Sequence, residues 1–129
     1  MTIAEVCAKY DISADTLRYY ERIGVIPPVP RTKSGIRDYD EDSCNWIELA
    51  ICLRKAGVQI EALIEYTTLF MQGEKTIESR CQLLHEQRDK QLIKLQEIQA
   101  SIDRLNYKIE LYETGQMTEE KIKERRKRK

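Results

Sequence analysis

Residues 13–26 read Ser13-Ala14-Asp15-Thr16-Leu17-Arg18-Tyr19-Tyr20-Glu21-Arg22-Ile23-Gly24-Val25-Ile26. Ser13 has the chemistry of a helix cap, because its hydroxyl accepts from the orphan N–H groups of a first turn. Gly24 is a stop, since glycine enters the left-handed region without strain. The segment between them predicts a helix to about Arg22 or Ile23, studded with Thr16, Arg18, Tyr19 and Tyr20. Upstream, Thr2 and Glu5 have the spacing of a capping box. Ile3, Val6, Cys7 and Tyr10 then follow at i, i+3, i+4 and i+7, one apolar face of a helix over about 3–10. Asp11-Ile12 interrupts it. Two short helices across a tight turn form a helix-turn-helix candidate.

Downstream, Pro27, Pro28 and Pro30 forbid helix. Ser34-Gly35 offers a turn between Arg31-Thr32 and Ile36-Arg37-Asp38-Tyr39, which suits a small two-stranded hairpin. Asp40 opens a third helix, with Glu41 and Asp42 favouring its positive end. Trp46, Leu49, Ala50 and Leu53 are expected on its inward face, and Lys55-Ala56-Gly57 ends it. A fourth helix follows over about 61–71, with Leu63, Ile64, Thr67 and Phe70 inward and Gly73 as its stop.

Beyond Thr76 the pattern changes. Ile77, Cys81, Leu84, Arg88, Gln91, Leu95, Ile98, Ile102, Leu105, Ile109 and Tyr112 alternate spacings of four and three. That is a coiled-coil seam over about five heptads, roughly 50 Å long, with Arg88 and Gln91 as polar faults. Nothing else in the chain covers so long a stripe, so the expected partner is a second copy. The interface residues are then Leu84, Leu95, Ile98, Ile102, Leu105, Ile109 and Tyr112. The fold class expected is mostly α. A winged helix-turn-helix head occupies 1–71, a dimerisation helix 75–114, and a basic, partly disordered tail 115–129.

Composition narrows the function. The 129 residues are 41% hydrophobic, 34% charged and only 7% aromatic, which suits exposed helices better than one thick core. The length excludes large α/β enzyme folds such as a TIM barrel. Lys+Arg and Asp+Glu balance at 22 each, so charge placement decides the partner; residues 117–129 hold seven Lys/Arg against three Glu. No apolar run spans a bilayer and the first residues lack the regions of a signal peptide, so a cytoplasmic protein without a membrane partner is expected. No enzyme and no cofactor are expected either: His85 stands alone, with no Gly-rich phosphate loop and no assemblable Ser/His/Asp set.

The residues with recognition chemistry gather in the second helix and the hairpin. Arginine offers a planar fork to phosphate or guanine, and tyrosine hydroxyls donate to phosphate oxygens. A helix with a basic hairpin suits a major groove and its flanking backbone. The plain alternative is a solvated polar face on a helical domain, or a coiled-coil scaffold with a helical head. The scaffold accounts for the seam but not for the arginine-bearing hairpin.

These stretches resemble the MerR-type transcriptional regulators. Ile3-Ala4-Glu5-Val6 is similar to the opening of that family's winged domain, Thr16 to Ile26 to its recognition helix and exit, and Gly35-Ile36-Arg37-Asp38-Tyr39 to its wing, with Ile36 where an aromatic is common. The resemblance implies a homodimer bound to promoter double-stranded DNA. An effector then distorts that DNA so that RNA polymerase, touched only indirectly, can engage. It places Arg18, Tyr19, Tyr20, Arg31, Arg37 and Tyr39 on DNA-contact positions, to which the reading of the helix and hairpin adds Thr16 and Lys33, and it implies antiparallel packing of the long helices.

Four cysteines, Cys7, Cys44, Cys52 and Cys81, form no Cys-x-x-Cys pair and should be free thiols in the cytoplasm. Cys7 is expected in the core and Cys44 near the surface. Cys81 and His85 lie at i and i+4, the start of a metal site, but only two ligands; Cys81 fits the seam equally well. No cysteine follows Cys81, so the C-terminal cysteine loop of the metal-sensing relatives is absent and no metal is expected. Cys52, in Ala50-Ile51-Cys52-Leu53-Arg54-Lys55, is similar to a cysteine of the aldehyde- and thiol-stress-responsive subgroup. There Arg54 and Lys55 supply positive charge that favours thiolate attack on an electrophile. The competing readings are a half-buried packing residue at 52, or an effector bound without covalent chemistry.

Overall fold

The computed structural model describes residues 1–127 and divides by internal contacts into two units, Met1–Arg88 and Asp89–Lys129. The elements run α1 (Ile3–Tyr10), α2 (Ala14–Ile23), α3 (Glu41–Lys55), α4 (Ile60–Met71), a single 3-10 turn (Glu74–Thr76), α5 (Ile77–Glu113) and α6 (Glu119–Lys127). Among the described residues no helix is long and apolar enough to cross a membrane.

In the first unit the helix starts follow local chemistry. The Thr2 hydroxyl accepts from the Glu5 N–H while the Glu5 carboxylate accepts from the Thr2 N–H, a complete capping box. Ser13 caps α2 through the Thr16 N–H at 3.1 Å, and Asp40 caps α3 through the Ser43 N–H at 2.8 Å. Asp11 closes α1 in the left-handed region at φ 51°, and Gly24 closes α2 at φ 88°. Below them lies one core of Val6, Leu17, Val25, Ile26, Val29, Ile47, Ala50, Val58 and Leu63. The proline-rich segment is part of that core, because Val25, Ile26 and Val29 are all buried. The buried Thr67 hydroxyl of α4 donates to the Val25 carbonyl at 2.7 Å, joining α4 to the exit of α2.

Three expectations change here. The hairpin is not two strands: among the described residues, Arg31 and Arg37 form one isolated antiparallel bridge. Pro30 brings no N–H to a ladder. The loop is instead closed by Thr32 N–H to Ile36 O at 2.8 Å and Gly35 N–H to Thr32 O at 2.9 Å, with Gly35 at φ 85°. Leu49 and Phe70, expected inward, are exposed. They flank Trp46, whose ring meets Phe70 edge-on at 5.0 Å and Tyr66 tilted at 5.9 Å. With Asp42 and Asn45 these side chains line an open groove of about 220 Å³ between α3 and α4. Cys44, expected near the surface, is buried with its thiol 4.0 Å from the Met1 sulfur, while Cys7 is half-buried against the core.

The second unit holds the remainder of α5, the turn at Gly115 (φ 71°) and α6. The apolar stripe is present and uncovered: Leu95, Ile98, Ile102, Leu105, Ile109 and Tyr112 are all exposed. Leu84, assigned to the same stripe in the first unit, is exposed as well. The region expected to be a partly disordered tail contains α6. Its first turn carries Glu119 and Glu120 and its last turn Arg125, Arg126 and Lys127, each matched to the helix dipole. The Thr118 hydroxyl accepts from the Lys121 N–H at 3.3 Å, and Arg125 donates back to the Gln116 side chain at 3.1 Å. Arg128 and Lys129 of that tail lie outside the described residues.

Candidate nucleic-acid interface

Leu17 turns one face of α2 into the core, and helical geometry then sets what the other face shows. Asp15, Arg18, Tyr19 and Arg22 recur at i, i+3, i+4 and i+7, and all four are exposed. The Arg18 guanidinium reaches Asp15 at 3.4 Å, a weak surface pair that a phosphate or base edge displaces at little cost. Arg22 lies over the Tyr19 ring at 5.3 Å, a cation–π contact that orders both side chains. Thr16 sits at the start of α2 with its hydroxyl 2.7 Å from that of Ser13. Tyr20 is half-buried, packed against the core, with its ring 6.5 Å from that of Tyr19.

The 31–37 loop adds a second basic element. Lys33 is exposed, Arg31 is 47% exposed, and Arg37 is 23% exposed. Both arginines converge on Glu21 of α2, a residue missed in reading the sequence for contacts. Its carboxylate accepts from Arg37 Nε at 2.6 Å and from the Val29 N–H at 2.8 Å, and lies 4.0 Å from Arg31 Nη2. Burial raises the Glu21 pKa, but the Arg37 and Val29 hydrogen bonds and the charges of Arg37 and Arg31 outweigh it, leaving the carboxyl below its ordinary range. The signal was present in the sequence: Glu21 is four residues after Leu17, so a carboxylate occupies the inward face and needs cationic partners.

Tyr39 does not belong to this surface. It is 1% exposed, its backbone N–H donates to the Met1 carbonyl at 2.8 Å, and burial pushes its phenol pKa up. Its hydroxyl has no hydrogen-bond partner among the described residues. A side chain so enclosed has no route to a phosphate, and its contribution is packing volume.

Cys52 is exposed on α3. The Arg54 guanidinium, expected to assist it, instead donates to the Val58 carbonyl at 2.7 Å and secures the α3–α4 link. Cys81 and His85 are exposed on α5, and no group of three or more His, Cys, Asp or Glu positioned for a metal occurs among the described residues.

The chain is similar in sequence and fold to known proteins. Residues 1–68 match the MerR HTH family of regulatory proteins. The chain is 56% identical over 90 residues to the HTH-type transcriptional regulator AdhR of Bacillus subtilis, an overlap of 70% of this chain and 64% of AdhR, so it spans just under two thirds of that relative. It is 30% identical over 112 residues to an uncharacterized HTH-type transcriptional regulator of Haemophilus influenzae, covering 87% of this chain and 83% of the relative. A MerR family structure from Listeria monocytogenes superposes with a TM-score of 0.87 at 44% identity, covering 89% of this chain and 87% of that one. HiNmlR, a MerR family regulator lacking the sensor domain and solved bound to promoter DNA, gives a TM-score of 0.78 at 30% identity over 89% of this chain and 91% of its own. These relatives are regulators rather than enzymes, and the family match over residues 1–68 together with these similarities shows that the chain belongs to the MerR family of helix-turn-helix transcriptional regulators.

Proposed function

We propose that the protein is a cytoplasmic homodimer that sits on promoter DNA and distorts it when an effector arrives, giving RNA polymerase indirect access through the DNA. The observation that carries this reading is the exposed Arg18–Tyr19–Arg22 face of α2 beside the basic 31–37 loop. HiNmlR, similar in fold, was solved on promoter DNA. Arg18 and Tyr19 face the groove in this reading, Thr16 and Tyr20 support them, and Arg31 and Lys33 contact the backbone. The uncovered stripe Leu95–Tyr112 of α5 supplies the dimer seam, paired as a coiled coil. Titrating duplex DNA across a salt series tests the reading. Tight binding that weakens linearly in log salt supports it, and binding no stronger than that of the Arg18→Ala variant sinks it.

The effector in this proposal is a small electrophile captured by Cys52. The support is exposure and place: Cys52 is open on α3, while Cys44 is buried and Cys7 half-buried; Cys81 is exposed as well but lies on α5, in the stripe assigned to the dimer seam. An adduct on α3 changes local packing beneath the DNA-binding helices, an input suited to a rigid-body response. Single Cys→Ser variants, assayed for promoter output with and without formaldehyde, test it. Induction lost only in Cys52→Ser, with DNA binding kept, is the expected result; normal induction in that variant removes the sensor.

A further inference from the structure

We infer that Glu21 is a positioning residue for DNA binding: it clamps the 31–37 loop to α2 through Arg37 and so divides labour between two arginines, Arg37 as anchor and Arg31 as phosphate contact. The inference rests on the DNA-binding reading above.

The geometry starts from an inward carboxylate. Glu21 is 12% exposed, and a carboxylate so placed is tolerated only when both oxygens are paired. Its two oxygens go to different parts of the chain. Oε2 accepts from the Val29 N–H at 2.8 Å, and Oε1 from Arg37 Nε at 2.6 Å. Pro27, Pro28 and Pro30 have no N–H, so Val29 offers the one backbone donor between residues 27 and 30, and Glu21 takes it. One side chain on the helix that presents Arg18 and Tyr19 thereby holds both the entry to the loop and its far side.

The two guanidiniums are not equivalent. Arg37 is mostly covered and is held to Glu21 by a short, charge-assisted bond through its Nε, so swinging it out to a phosphate costs that bond. Arg31 is twice as exposed and spends its Nη1 on the Gly35 carbonyl at 3.1 Å, which braces the loop, while its Nη2 makes only a long 4.0 Å ion pair with the same carboxylate that a phosphate can replace. Glu21 also places a negative charge close behind the DNA-facing surface. That charge weakens attraction to phosphate of any sequence, so the clamp favours geometry over indiscriminate affinity.

The test uses the full chain, a duplex selected by the wild-type protein from a random-sequence pool, and a scrambled duplex of equal length. Arg31→Ala should lower the salt slope of binding by about one unit, as loss of one phosphate contact does. Arg37→Ala should weaken the selected duplex about tenfold or more yet leave the slope at its wild-type value. In Glu21→Gln the amide has a single acceptor atom, so one of the two donors meets an NH2 group. This variant should lose about tenfold in the ratio of selected to scrambled binding while holding or gaining scrambled binding. The double variant Glu21→Gln/Arg37→Ala should bind the selected duplex no worse than the weaker of those two single variants, because both remove the same clamp. A slope lowered equally by Arg37→Ala and Arg31→Ala overturns the inference, as does an unchanged ratio in Glu21→Gln. Should Glu21→Gln fail to fold, the comparison of Arg31 and Arg37 slopes decides alone. A wild-type protein that selects no duplex overturns the DNA-binding reading itself, a result distinct from either of these.

Discussion

Replacing Ile98 and Ile102 together by aspartate should dissolve the proposed dimer. Ile98 is 57% exposed and Ile102 43% exposed in the single chain, so roughly half of each side chain remains to be covered. Full burial of an isoleucine is worth about 1.5–3 kcal/mol, which leaves about 1 kcal/mol per side chain for association, or about 4 kcal/mol for the four in a dimer. Aspartate forfeits that and adds four carboxylates to an apolar seam. Even at about 1 kcal/mol each, well below the cost of full burial, the total reaches about 8 kcal/mol. At 1.4 kcal/mol per decade, the dissociation constant rises by about six decades, enough to turn a dimer of roughly nanomolar affinity into one of millimolar affinity. Sedimentation at about ten micromolar protein should then show monomer. Ala100→Asp, on the opposite side of the same turns, should remain dimeric and controls for lost helix propensity. A double variant that stays dimeric at that concentration refutes the seam.

Three further outcomes follow from the core and the clamp. Tyr39→Phe removes a buried hydroxyl that has no partner among the described residues, so thermal melting should hold or rise and duplex affinity should not change; weakened binding would return Tyr39 to the interface. Thr67→Val strips the donor from the Val25 carbonyl and should cost about 1–3 kcal/mol in denaturant unfolding, with an unchanged midpoint contradicting that bond. Glu21 has a folded pKa below its ordinary 4.5, so its pairing stabilises fully above that value and is lost as pH falls through the lowered folded value. The gap in melting temperature between wild type and Glu21→Gln should therefore be widest near neutrality and close in acid; a gap constant with pH would show that the charge is not what stabilises.

The helices of the head were legible because their ends are local chemistry. Thr2 with Glu5, Ser13, Gly24 and Asp40 each act on groups within four residues, so no knowledge of the fold is needed to place them. The orientation of Tyr39 is a different matter. It leaves an irregular loop, where no period assigns a side chain to a face, and its burial is decided by what α1 and α2 bring against it. Leu49 and Phe70 carry the right spacing for the core, yet the groove around Trp46 is open, because spacing sets a face and not what covers it. In α6, basic composition hid a helix whose acidic start, basic end and Thr118 cap were all in view. Glu21 was read as part of a helix rather than as a charge in need of partners. Of the residues expected at the interface, Arg18, Tyr19, Arg31 and Lys33 are exposed, whereas Tyr39 is buried.

Val29 stands between Pro28 and Pro30, so its amide proton has no amide neighbour on either side along the chain. In a proton–nitrogen correlation spectrum it is an isolated reporter, and its one acceptor is the carboxylate that anchors the loop. Its chemical shift follows the ionisation of Glu21, and its exchange with deuterium measures how often the clamp opens. A single resonance, followed through a DNA titration, thus reads whether the loop stays docked on α2 while the protein engages its promoter.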